Sequence, residues 1–240
     1  MISSTPQQLK NRIRDNILDI RERIEKACAS VGRNPDEVRL MVVTKTFPPE
    51  VINLALECNI DLIGENKVQE LMSKLEYLCP KDVEKHIIGH LQRNKVKQVL
   101  PHVSMIQSVD SIKLACEISK QSERLGKNTN VLIQINVGDE ETKTGFSVDE
   151  TEEALFQIAE MPNITIEGLM SIPPICETES EIRKYFSELN KIFIDKKDKI
   201  YHNKSMTVLS IGMTSDYEAA IKEGSTLIRI GSGIFGQRDY

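Results

Sequence analysis

The sequence predicts an α/β fold of the (β/α)8 TIM-barrel type, with one extra helix at the N-terminus. Three observations carry this. Short apolar runs are each followed by a polar or glycine-bearing turn and then by a stretch with helical spacing, the alternation that specifies a parallel sheet. Eight such runs can be counted, at 38–44, 61–63, 86–88, 105–107, 131–136, 165–170, 207–211 and 227–230. The chain has 240 residues, a typical size for eight closed β/α units. An open doubly wound sheet is the alternative, because the second and third runs are short.

The extra helix opens at Thr5-Pro6-Gln7-Gln8, which supplies a cap, a proline at the first helical position and the glutamine of a capping box. Apolar residues then recur at Leu9, Ile13, Ile17, Ile20, Ile24, Ala27 and Val31 until Gly32 stops the pattern. Further helical patterns lie between the strands, for example at 50–58, 110–125, 149–159, 179–195 and 215–222. No Pro-rich linker, low-complexity tract or composition shift interrupts residues 1–240, so a single domain is expected.

Composition narrows the classes of function. With 40% hydrophobic and 28% charged residues the chain can bury a full core. No stretch approaches the roughly 18 apolar residues of a membrane span, and the start MISSTPQQLKNR lacks the apolar centre of a signal peptide, so a cytoplasmic protein is expected. Cys28, Cys58, Cys79, Cys116 and Cys176 are odd in number and form no C-x-x-C pair, which predicts reduced thiols and neither a disulfide framework nor a metal site. The net charge of -5 argues against nucleic-acid binding, and the basic run Arg93, Lys95, Lys97 reads as a solvated helix face. Nothing in the composition marks an interface, so a monomer or weak dimer is expected.

In this fold, chemistry gathers where strands end in their following loops. Those ends read Lys45; Gly64-Glu65-Asn66; Gly89-His90; Ser108; Asn136; Ser171; Gly212-Met213-Thr214; and Arg229 with Gly231-Ser232-Gly233. Lys45 ends the run Leu40-Met41-Val42-Val43, which would place its ammonium at the barrel mouth. At its usual pKa of about 10.4 only roughly one lysine in 2,500 is neutral at pH 7, and a partly desolvated mouth raises the fraction able to form a Schiff base. The bland reading is a surface lysine that ends a strand.

The loops after strands 7 and 8 carry the second signal. Gly212-Met213-Thr214-Ser215-Asp216 runs into a helix, and Gly231-Ser232-Gly233 can start a short one at Ser232. Barrels often hold a phosphate between these two loops and such a helix, although the same glycines also serve as ordinary turn residues. A Schiff-base lysine and a phosphate cup together describe a ligand that is both an aldehyde and a phosphate ester, as pyridoxal 5'-phosphate is. Arg229 would then face its ring nitrogen, and an arginine there keeps that nitrogen neutral and the cofactor a weak electron sink, which disfavours transaminase chemistry.

These residues resemble the pyridoxal phosphate homeostasis protein family, single-domain relatives of the alanine racemase N-terminal barrel. The resemblance rests on Gly32-Arg33-Asn34-Pro35 before Val42-Val43-Thr44-Lys45, on Gly64-Glu65-Asn66-Lys67-Val68-Gln69-Glu70 and on His86-Ile87-Ile88-Gly89-His90-Leu91-Gln92. It continues through Gly168-Leu169-Met170, Ser210-Ile211-Gly212-Met213 and the run from Arg229 to Tyr240. It implies that Lys45 holds the cofactor as a Schiff base, that Ser210, Thr214, Gly231 and Ser232 lie at its phosphate, that Arg229 faces the ring nitrogen, and that Asn66 and Met213 line the pocket with Gly212. The chain departs from the family's usual residues at Lys67, Lys85, Arg93 and Thr214; the first two replace aromatics, the threonine keeps a hydroxyl, and Arg93 adds charge near the mouth if it turns inward.

The resemblance implies a carrier that buffers or delivers the cofactor for vitamin B6 and amino-acid homeostasis, with cofactor-dependent apo-enzymes as its recipients. A racemase is the first alternative. It needs two acid/base groups on opposite faces of the substrate carbon, and in the racemase family the second is a tyrosine from a β-rich domain that is not expected here. Tyr77, Tyr185, Tyr201 and Tyr217 fall in helix or loop patterns, Tyr240 could reach back, and His90 is the best remaining candidate. A Schiff-base aldolase acting on a sugar phosphate is the second alternative.

Overall fold

Eight parallel strands pair in sequence order, and the last pairs with the first, so the sheet closes into a barrel. In the computed structural model, which describes residues 5–140, 144–197 and 204–236, they are β1 (Arg39–Val43), β2 (Leu62–Glu65), β3 (Glu84–Ile87), β4 (Met105–Val109), β5 (Thr129–Gln134), β6 (Ile164–Met170), β7 (Lys204–Met213) and β8 (Leu227–Ile230). The closed ring removes the open-sheet alternative. The two runs that looked too short are real strands of four residues each, held in register from Leu62 opposite Glu84 to Glu65 opposite Ile87.

Helices α1 (Pro6–Ala29), α2 (Pro49–Leu56), α3 (Val68–Lys74), α4 (Val96–Val99), α5 (Ile112–Leu125), α6 (Thr151–Ala159), α7 (Glu179–Lys197), α8 (Tyr217–Lys222) and α9 (Ser232–Phe235) complete the described elements. The expected capping box opens α1: the Gln8 N–H donates to Thr5 Oγ1 and the Thr5 N–H to Gln8 Oε1. The helix ends at Ala29, two residues before the apolar pattern does, and Val31 is exposed beyond it. Ile13, Ile17, Ile20 and Ile24 are buried in one cluster with Ile52 of α2, Tyr217 and Ile221 of α8, and Ile234 and Phe235 of α9. Each contributes about 1.5–3 kcal/mol relative to exposure. The extra helix therefore braces the two elements that follow β7 and β8.

Between β3 and β4 the chain makes only short helical turns, with Val96, Val99 and Leu100 inward and Arg93 and Lys97 outward. β7 is longer than the sequence pattern suggests and its register shifts against both neighbours. The helix after it starts at Tyr217, two residues later than expected. All five cysteines are free thiols. Among the described residues no helix is long and apolar enough to cross a membrane, and no His/Cys/Asp/Glu group could hold a metal ion.

Candidate functional site

Lys45 follows β1 in a turn whose backbone is fixed from below. The Thr44 carbonyl accepts from Lys74 Nζ at 2.9 Å, and the Thr44 hydroxyl donates to Glu65 Oε1 at 2.7 Å. On the other side, Thr46 sits at φ +70° and its N–H donates to Glu70 Oε1. Lys74 joins both carboxylates, at 2.5 Å from Glu65 and 2.7 Å from Glu70. One buried ammonium and two carboxylates thus grip the peptide groups on either side of Lys45. Burial pushes the Glu65 carboxyl upward, opposed by its hydrogen bonds from Lys74 and Thr44.

The strand-end loops meet over a cavity of about 520 Å³, within the range of small-molecule sites of about 300–1,000 Å³. Lys45, Asn66, Met213, Thr214, Arg229, Gly231 and Ser232, all expected at the site, line it together. The turn after β3 has to be glycine where it passes Asn66: a Cβ at Gly89 would lie 2.5 Å from the Asn66 carbonyl oxygen. Thr214 Oγ1 accepts from the Gly233 N–H at 3.3 Å and ties the loops after β7 and β8 to each other. Asp216 Oδ1 accepts from the Met213 N–H at 2.7 Å and holds that loop in place before α8.

Two expected residues do not reach the wall. Ser210 is fully buried inside the barrel, because β7 continues three residues past it; its hydroxyl donates to Gln107 Oε1 and accepts from Arg229 Nη1, both at 2.7 Å. Gly212 turns toward α8 at φ +93°, where a Cβ would lie 2.6 Å from that of Ala220. Ser171 and Asn136 also support the wall from outside it. Ser171 presents its carbonyl to Arg229 Nη2 at 2.8 Å, and the Asn136 amide closes the loop after β5 by donating to the Glu140 carbonyl.

Arg229 is 3% exposed and donates to neutral oxygens, the carbonyl and hydroxyl of Ser210 and the carbonyl of Ser171. Burial lowers its pKa to about 10, which leaves the guanidinium charged at neutral pH. His90 is half-exposed at the cavity wall, its Nδ1 2.6 Å from Oδ2 of the nearly buried Asp110. Val43, Ile88, Gln134, Thr144, Ile172 and Ser215 complete much of the lining without having been expected to. Gln134 is the inward residue at the end of β5, tied to Thr144, and only an inside-outside register for that strand would have found it.

Of the four residues that depart from the family pattern, Thr214 lines the cavity and the other three stay away from the wall. Lys67 is exposed ahead of α3, Lys85 lies at the far end of β3 bonded to the Lys81 and Val83 carbonyls, and Arg93 faces solvent. Among the described residues no tyrosine lines the cavity: Tyr77 is exposed, Tyr185 lies on α7, and Tyr217 is buried in α8. Tyr201 and Tyr240 lie outside the described residues.

Comparison with known proteins agrees with this geometry. The family model described as "Alanine racemase, N-terminal domain" matches residues 11–239. The pyridoxal phosphate homeostasis protein of Aquifex aeolicus is 42% identical over 91% of this chain and 95% of its own length. A crystal structure of an unknown protein from Bifidobacterium adolescentis is 34% identical with a TM-score of 0.89, covering 95% of this chain and 96% of that one. PipY of Synechococcus elongatus PCC7942, solved with pyridoxal phosphate bound, is 30% identical with a TM-score of 0.77 and covers 89% of this chain and 100% of its own. A shared barrel, a near end-to-end match and a strand-end lysine opposite a buried arginine lead to one assignment: the chain belongs to the alanine racemase N-terminal domain family and, within it, to the pyridoxal phosphate homeostasis proteins.

Proposed function

We propose that the protein binds pyridoxal 5'-phosphate as a Schiff base on Lys45 and carries or buffers it for vitamin B6 and amino-acid homeostasis, without robust turnover. The observation that carries this reading is the meeting of Lys45, Arg229, Thr214 and Ser232 at one cavity from opposite sides of the barrel closure. The donor set fits the group. An amine is present for the aldehyde, hydroxyls and the Gly231-Ser232 backbone are present for the phosphate, and a charged guanidinium is present for the ring nitrogen. When bound, the cofactor supplies an electrophilic carbonyl and a conjugated ring.

The protein's own residues set the rest. Glu65, Glu70 and Lys74 fix the backbone around Lys45, the β7 and β8 loops orient the anion, and Ile88 and Ile172 shield the ring from water. Arg229 holds its protons, so it keeps the ring nitrogen unprotonated and weakens the electron sink that turnover needs. The recipients of the cofactor are apo-enzymes, the chain acts as one domain, monomeric or weakly dimeric, and the five free thiols suit a cytoplasmic setting.

The test is the visible spectrum with added pyridoxal phosphate, followed by borohydride reduction and peptide mapping, on wild type and Lys45→Ala. A band fixed on Lys45 and lost in the variant supports the site; no band with added cofactor overturns it. A weak racemase is the second reading, favoured by the His90–Asp110 pair at the wall. Solvent deuterium incorporated at the α-carbon of alanine or serine well above the rate of free cofactor would establish it over the carrier.

A further inference from the structure

A continuous line of buried polar side chains crosses the barrel interior, in a position where strands ordinarily present apolar residues. It starts at Glu84, near the opposite end of the barrel from the cavity, whose side chain is one-third exposed and bonded to Arg39 at 2.8 Å. Glu84 Oε1 lies 2.8 Å from His86 Nε2, and His86 Nδ1 lies 2.8 Å from Gln107 Nε2. Gln107 Oε1 accepts from Ser210 Oγ at 2.7 Å, a contact across the barrel interior between β4 and β7, which have β5 and β6 between them in the ring. Ser210 Oγ in turn accepts from Arg229 Nη1 at 2.7 Å. His86, Gln107, Ser210 and Arg229 are each no more than 3% exposed.

Donor and acceptor chemistry gives this line one direction. A carboxylate only accepts, so His86 carries its hydrogen on Nε2, and the bare Nδ1 must accept from the Gln107 amide. The other end of that amide is then an acceptor, which fixes the Ser210 hydroxyl toward it and turns the Ser210 lone pairs to Arg229. Every bond donates away from the arginine, so every dipole presents its negative end to the guanidinium. Burial holds His86 neutral and its bond from the ring to Glu84 holds that carboxyl down at about 2, the two charge states this direction requires. Chains of this kind polarise one another along their length.

We propose that His86, Gln107 and Ser210 are positioning residues for Arg229: one polarised hydrogen-bond chain, anchored on Glu84 beyond the barrel core, holds the guanidinium charged and oriented at the cavity. Its effect on cofactor rests on the reading of Arg229 given above. The chain itself does not.

Two measurements separate these. In wild type, 15N NMR of the His86 ring should show a protonated Nε2 and a bare Nδ1 at neutral pH; the opposite tautomer, or a doubly protonated ring, overturns the proposal. In Glu84→Gln, where the amide can still bond His86 but the terminal charge is gone, the Arg229 side-chain resonances should shift although the change lies at the other end of the barrel. In Gln107→Leu the same resonances should shift further, and pyridoxal phosphate should bind about two- to tenfold more weakly, the net worth of one hydrogen bond, with an altered pH profile of its absorbance band. Unchanged Arg229 resonances in folded Glu84→Gln overturn the proposal, whether or not Gln107→Leu folds. Failure of wild type to bind pyridoxal phosphate would instead strike the cofactor reading and leave the nitrogen shifts to decide the chain.

Discussion

Lys74 places its ammonium 2.5 Å from the Glu65 carboxylate, with 7% and 1% of the two side chains exposed, and the same ammonium holds the carbonyl of the residue before Lys45. A buried pair of this kind contributes little net stability as a pair, yet breaking it from one side strands a charge in the interior. Its position makes it a foundation for the strand-end turn.

Lys74→Met should therefore destabilise the fold by about 3–5 kcal/mol, read as a drop in the urea midpoint with unchanged slope. The double variant Lys74→Met with Glu65→Leu should recover most of that loss, since the fully buried carboxylate is removed with its partner and Glu70, 22% exposed, keeps solvent and the Thr46 N–H. If the single variant is neutral, the carboxyl is held protonated and the clamp is not ionic.

Thr214→Val removes the hydroxyl that ties the β7 loop to the Gly233 N–H and faces the cavity. Titration with pyridoxal phosphate should show a dissociation constant raised about tenfold, the size of one hydrogen bond to a charged group. The Schiff-base absorbance should stay at the same wavelength, because Lys45 and Arg229 are untouched.

Phe235, 4% exposed, packs its ring 4.3 Å from that of Phe47 and anchors α9 beneath Ser232. Phe235→Ala should cost about 3–5 kcal/mol in chemical denaturation. It should also weaken pyridoxal phosphate binding although Phe235 is not in the cavity wall, because the Ser232 turn loses its footing.

Acid should destabilise the protein in two stages. His86 is held neutral below its ordinary pKa, so the unfolded chain takes up a proton first and stability falls as the pH drops below about 6.5. Glu84, held down at about 2, adds stability that is complete above its ordinary value of about 4.3 and is lost as the pH falls toward 2. Urea midpoints measured from pH 8 to pH 3 should decline through both windows, and Glu84→Gln should flatten the lower one.

The barrel was legible because its strands are apolar runs with polar ends, a local signal. The 227–230 run is β8 as read, and even the short runs at 61–63 and 86–88 mark true strands within a few residues. Lys45 could be found for the same reason, as the first charge after an apolar run. Ser210 lies within the 207–211 run, but which side of the ring its hydroxyl takes is set by the pairing of β7 with β6 and β8, which a local pattern does not show. His86 opens a family motif and Gln107 ends a strand run, yet nothing in either pattern points to their bond. A lone polar residue in a strand says nothing about a partner across the interior of a barrel, and the Gln107–Ser210 bond joins residues 103 positions apart.

The seam between β1 and β8 has a temporal meaning for a chain made from one end to the other. Lys45 emerges with the first strand, whereas Arg229 and Ser232 emerge with the last, and the helix that braces α9 is the first described element. A chain halted after β7 would own the reactive amine but neither the cation nor the serine turn. It could react with an aldehyde as any exposed lysine does, without the selectivity of a pocket. On the proposed reading, ring closure is thus the event that completes the pocket around Lys45, and non-local pairing of this kind forms late in folding.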